Sequence, residues 1–199
     1  MDDPRYPIAK SYLRFDGDSA TIAVDADVAR SWLLGDFMLR EIPIVLAEVN
    51  KAANEQHRLR LRVAVAHGET VVTPPFVGGD AVRRAARLRD ATALRDAMTN
   101  TPDADLGLIL ADDFFSQVVK QGERGLSREA FKPVDVQVKD FTERGWIHMT
   151  TETRNETTQQ ISAMGAFAHL QKISENFNYV EYVNSDYVNF GVVNNRDDG

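Results

Sequence analysis

Gly78, Gly79, Arg83, Arg84 and Arg87 follow Phe76 closely in the chain, and their types and spacing suit an anion. Adjacent glycines at the start of a helical stretch let another group approach the backbone, and the free N–H groups of a helix N-terminus favour negative charge. Arg83 and Arg87 are four apart and share a helical face. A phosphate-bearing partner is the sharp reading. A capped helix with a solvated basic face explains the same residues on local grounds. A second group is Arg14 with Asp16-Gly17-Asp18. Asp-Gly between apolar runs marks a β-hairpin turn. The two aspartates can also serve as hard oxygen ligands for Mg²⁺, which takes few protein carboxylates and draws its remaining ligands from substrate phosphates. His67 has only Glu69 nearby in sequence and reads as a turn histidine.

These residues need elements to hold them. The alternation of residues 12–24 about Asp16-Gly17-Asp18 predicts a hairpin. Asp27 is placed to cap a helix carrying Val28, Trp32 and Leu33, and Met38, Ile42, Val45, Leu46 and Val49 repeat at helical spacing over residues 36–56, with Pro43 near the start. Leu59, Leu61, Val63 and Val65 alternate with Arg60, Arg62, Ala64 and Ala66 as a strand, followed by a turn at residues 67–70 and a return through Val71-Val72. Asp80 is placed to cap one long helix over residues 80–100, with Val82, Ala85, Ala86, Leu94 and Met98 as its buried stripe. Residues 106–110 form an apolar strand, Asp112 starts a brief helix, and residues 131–139 and 145–149 close the pattern as a strand pair.

At 199 residues the chain suits one substantial domain with an appendage, and hydrophobic and charged fractions of 43% and 27% are those of a globular protein. A formal net charge of −7 argues against general binding to nucleic acid or an anionic membrane surface, so a phosphate site must be local. The absence of cysteine excludes disulfides, thiolate metal sites and cysteine nucleophiles. No stretch approaches the roughly 20 apolar residues of a membrane span, and the acidic N-terminus carries no signal-peptide core, so a soluble cytoplasmic protein is expected.

After Met149 the composition changes. Residues 150–160 hold five threonines and two glutamines and read as a linker. Beyond it, residues 161–199 form a C-terminal segment in which Tyr-Val-Asn occurs twice, at 182–184 and 187–189, about Asn184-Ser185-Asp186. High β-propensity and low charge mark residues 177–194 as self-associating or strand-donating; a hairpin docked on the main domain is the alternative.

Residues 61–69 and 77–88, with the hairpin at 14–18, resemble the class III nucleotidyl cyclases, the adenylate and guanylate cyclase catalytic domains. The resemblance covers residues 12–149. It implies an α+β fold with a ferredoxin-like βαββαβ core, a mixed or antiparallel sheet with helices on one face, and a homodimer or a pair with a related cyclase-like chain. It also implies a nucleoside triphosphate bound with Mg or Mn. By position, Asp18 stands for the second metal aspartate, with Asp16 beside it the metal candidate read from the turn itself, Arg14 for the base-recognising lysine, and Arg87 for the transition-state arginine. Arg83 stands where the family has asparagine, and Phe76 where a polar base reader is common. Gly78 and Gly79 keep the nucleotide-side loop.

The family's first strand, with its own metal aspartate, should lie several tens of residues before the hairpin, whereas eleven residues precede Tyr12. The domain at 1–149 therefore reads as incomplete. Losing one transition-state donor costs about 10²–10³ in rate, so the expectation is an impaired cyclase acting as a nucleotide-sensing or dimerising module. The enzymatic alternative is a cyclase, a phosphorus-oxygen lyase, completed by a partner or an upstream segment. A third reading gives the function to the C-terminal segment, as a self-associating or partner-binding element.

Overall fold

A computed structural model of the chain describes residues 12–51, 53–54, 57–151 and 183–192. It opens on the expected hairpin, β1 (Tyr12–Asp16) and β2 (Ser19–Asp25), in which Asp16 pairs with Ser19. Gly17, at φ 62°, takes the left-handed conformation that this tight turn requires. Asp27 does not cap the next helix. Its own N–H bonds to Asp25, and α1 (Arg30–Trp32) starts after Ala29. The helical run continues as a π-wound segment, Leu33–Glu41, and then α2 (Ile42–Asn50). The change of winding falls just before Pro43, which has no N–H to give to the ladder.

Strand β3 (Leu61–Thr73) runs without a turn through His67-Gly68-Glu69-Thr70, correcting the expected corner there. The reversal comes at Pro74-Pro75, where neither residue can donate to a ladder, and β4 (Phe76–Gly78) folds back on Val71, Val72 and Thr73. The long helix expected over residues 80–100 is two helices, α3 (Asp80–Arg89) and α4 (Thr92–Thr99). Leu88 and Leu94 are both fully buried but six apart, the wrong interval for one helical face, and the break at Asp90-Ala91 lets both point inward. Strand β5 (Ala104–Ala111), α5 (Asp112–Val118), β6 (Lys132–Val138) and β7 (Phe141–Thr151) follow. Thr150 and Thr151 thus end a strand; residues 152–160 of the expected linker and residues 161–182 of the C-terminal segment lie outside the described residues.

The segment expected as a β-forming tail supplies β8 (Val183–Val192). It runs as one strand through Asn184-Ser185-Asp186, where the hairpin alternative would have placed a reversal. Strand β8 lies antiparallel between β2 and β3, and the sheet order is β1-β2-β8-β3-β5-β7-β6, with β4 on the end of β3. Strands β3 and β5 are parallel, which makes the sheet mixed. The fold is α+β.

Helices cover both faces, correcting the single covered face that the resemblance implies. Gly68 abuts Ala81 of α3, and Gly107 of β5 lies under Leu94 and Met98 of α4. His67, one residue from Gly68 and so on the opposite face, meets Arg30 of α1. Phe115 of α5 stacks on Trp146 with ring centroids 3.7 Å apart. Between two helical layers, residues 63–66 and 104–111 are fully buried, which explains their near-continuous apolar runs. Arg60 is an exception in kind: buried at the start of this layer, it donates to the carbonyls of Met98, Thr101 and Ala104 and closes the C-terminus of α4.

Candidate functional site

The predicted residues fall into two groups at opposite ends of β3. At the α3 end, Gly79 is the residue before the helix and Asp80 lies in its first turn, so the cap is the glycine and not the aspartate. Gly79 has φ 126°, and a Cβ there would sit 2.6 Å from the carbonyl oxygen of Glu69. The backbone of β3 and the entry to α3 therefore touch, and only glycine fits. Phe76 folds its ring over Gly78, at the place where a side chain on Gly78 would lie, and remains 56% exposed. Arg83 is ion-paired with Asp80 on the surface. Arg87, two turns into α3, lies over the Phe141 ring at 5.2 Å and 3.8 Å from Asp140.

Arg84, between these two, was read from sequence only as one of the basic residues at the start of the helix, and it is the most engaged cation of the end. Its guanidinium binds Asp113 of α5 at 2.7 and 2.9 Å, and it holds Glu143 of β7 through Nε at 2.7 and 2.9 Å. The Glu143 hydrogen bond, ahead of the opposing cost of burial, raises the Arg84 pKa above its ordinary value. Burial pushes the Asp113 carboxyl up, but its bonds to Arg84 and to the Phe114 N–H prevail and leave it below the usual range. Beside this network, Arg30 Nη2 lies 2.8 Å from Nε2 of His67, and Arg30 also holds Gln117. His67 is thus a strand residue tied to α1.

At the other end, the acidic turn gathers Arg14, Asp16 and Asp18. Arg14 reaches Asp16 Oδ1 through Nε at 3.1 Å and Nη2 at 2.7 Å, and Ser19 Oγ donates to the Asp16 carbonyl at 2.9 Å. Across the sheet from this turn, Ser19, Gly191 and Arg62 stand in one row on β2, β8 and β3. Nε and Nη1 of Arg62 are shielded from water and have no hydrogen-bond partner. Burial lowers its pKa; Asp90 and, more weakly, Asp18 oppose that, while Arg95 and Arg89 add to it. Leaving such donors unpaired costs about 1–3 kcal/mol per group. In the sequence Arg62 belongs to the polar alternation of a strand, and that pattern cannot distinguish a solvated arginine from a shielded one.

From Arg62 to Gly68 is six strand residues, roughly 20 Å along β3. The fold therefore joins Arg14, Asp16 and Asp18, and separately joins Phe76, Gly78, Gly79 and Arg83, but within one chain it does not bring the acidic turn to the start of α3. Among the described residues no three His, Asp or Glu side chains group as a metal cluster. With Asp16 engaged by Arg14, the acidic turn by itself does not supply a free pair of aspartates for the Mg or Mn that the resemblance implies.

No family model matches the chain, and no curated protein and no solved structure matches it. No helix among the described residues is long and apolar enough to cross a membrane.

Proposed function

We propose that the chain is a nucleotide-binding domain of the class III cyclase type that cyclises poorly and acts as a sensing or dimerising module. The observation that carries this reading is Arg62. Two shielded guanidinium N–H groups without partners, in a row with the turn that holds Asp18, are what a phosphate-bearing ligand would satisfy. The topology supports it. Strands β1, β2, β8 and β3 have the order and directions of the second, third, first and fourth strands of a βαββαβ domain, so β8 takes the place where a first strand was expected to be missing.

Catalysis is disfavoured by the same geometry. Asp16 is neutralised by Arg14, Arg83 by Asp80, and Arg87 lies on the far side of α3 from the acidic turn's row. Calorimetric titration with ATP, GTP, CTP and UTP, each with Mg²⁺ and Mn²⁺, tests the reading. The expected result is micromolar to millimolar binding of at least one nucleotide, weakened tenfold or more in Arg62→Met, with negligible cyclic product. Equal binding by Arg62→Met, or robust cyclisation by the purified chain, would sink it.

One observation favours a second reading, an active cyclase built from two copies. The acidic turn and the α3 arginines are separated in one chain, so the turn of one copy could meet α3 of another. Mixing Asp18→Ala with Arg87→Ala chains would then restore product that neither makes alone; a mixture as inactive as its parts removes this reading.

A further inference from the structure

Among the described residues the β1–β2 hairpin joins the rest of the sheet only through β8. Strand β8 in turn comes from the far end of the chain, separated from β7 by residues 152–182, and it pairs Val188 with both Ile22 and Val65. Of all the pairings in the sheet, these close the longest loops, and loop-closure entropy grows with the length closed. The β1–β2 and β6–β7 pairs are local hairpins, and β3 and β5 pair across the crossover that carries β4, α3 and α4. Strand β8 is accordingly the strand whose pairing costs the most loop-closure entropy.

The same strand lies between the two parts of the site at the acidic turn. Gly191 separates Ser19, next to Asp18, from Arg62. We infer that β8 is a detachable central strand, and that its departure frees the β1–β2 hairpin as a unit and parts Asp18 from Arg62. Docking of the C-terminal strand thereby controls whether the anion site is assembled. The regulatory consequence rests on the nucleotide-binding reading above; the detachment itself does not. Coupling of this kind is reciprocal, so a ligand that bridges the turn and Arg62 also holds β8 in place.

The chain has no cysteine, so one engineered pair can lock the strand unambiguously. Glu69 and Asn184 are opposite each other, and Glu69 is exposed. In full-length Glu69→Cys/Asn184→Cys, amide hydrogen exchange is followed with the pair reduced and oxidised. In the reduced chain, β1, β2 and β8 should exchange together, about tenfold or more faster than β5. Oxidation should bring β2 close to the β5 rate. Exchange of β2 at the β5 rate in the reduced chain, with no change on oxidation, overturns the proposal. Asp25→Cys/Ser185→Cys, which ties β8 to β2 instead, repeats the test if the first pair perturbs folding. Titration with Mn²⁺ and ATP separates the two claims. Tighter binding by the oxidised form supports site control, and equal binding by both forms refutes it. Absence of nucleotide binding in both forms refutes the nucleotide reading, while the exchange result still decides detachment.

Discussion

Arg84 and Arg62 serve opposite ends of the same sheet, and their surroundings differ in kind. Arg84 lies between two carboxylates from separate elements, Asp113 of α5 and Glu143 of β7, and so ties α3 on one face of the sheet to α5 on the other. Arg62 is shielded as well, yet two of its nitrogens bond to nothing. A guanidinium whose donors are all engaged is a structural clamp. One left unengaged costs stability that a fold retains only when something else offsets it. On the proposed reading this contrast favours the acidic turn over the glycine corner where the sequence had concentrated attention.

The largest effect should come from breaking the clamp. Arg84→Ala strands Asp113 and Glu143 beside each other and should cost about 3 kcal/mol in urea unfolding. Arg84→Lys should recover only part of it, since an ammonium cannot fork to two carboxylates. A loss under 1 kcal/mol would mean that the clamp does not hold the fold.

Next comes the corner beside it. Gly79→Ala meets both a positive φ and the Glu69 carbonyl, and should lower stability by about 2 kcal/mol, read from the thermal midpoint. An unchanged midpoint would show that β3 and α3 can separate there without strain.

Arg62→Met should behave oppositely to Arg84→Ala. Removing unpaired donors while keeping the aliphatic stem should leave stability within about 1 kcal/mol of the parent, or raise it. Destabilisation as large as that of Arg84→Ala would erase the contrast between the two arginines.

The smallest effect is a pH dependence. The Asp113 carboxyl is depressed in the folded chain below its value of 3.8, so its contribution is present above that pH and is lost as pH falls through the folded value. The stability gap between the parent and Arg84→Ala should therefore narrow between pH 6 and pH 3. A constant gap would place the effect of Arg84 in packing and not in charge.

Local features were legible in the sequence wherever one residue type dictates the backbone. The Asp-Gly turn of β1–β2, the alternating pair β6–β7 and the apolar run of β5 are where pattern placed them. Errors arose where long-range packing overrode a local signal. Residues 67–70 look like a corner, yet β8 on one edge holds them straight, and the reversal waits for two prolines. The helix over residues 80–100 breaks because Leu88 and Leu94 must both reach the core, which nothing at Asp90-Ala91 announces. Arg84 and Arg62 are alike in sequence context, each a basic residue in a periodic element.

The sequence by itself determined the turns, the amphipathic stripes, the exclusion of cysteine chemistry and the β-forming character of the C-terminal segment, because each depends on backbone preference or on composition. Tertiary structure decided that this segment is a central strand, that helices cover both sheet faces, and that Arg84 is paired while Arg62 is not. Those outcomes depend on which groups from distant parts of the chain meet, and hydrogen-bond satisfaction and shielding from water exist only once they have met.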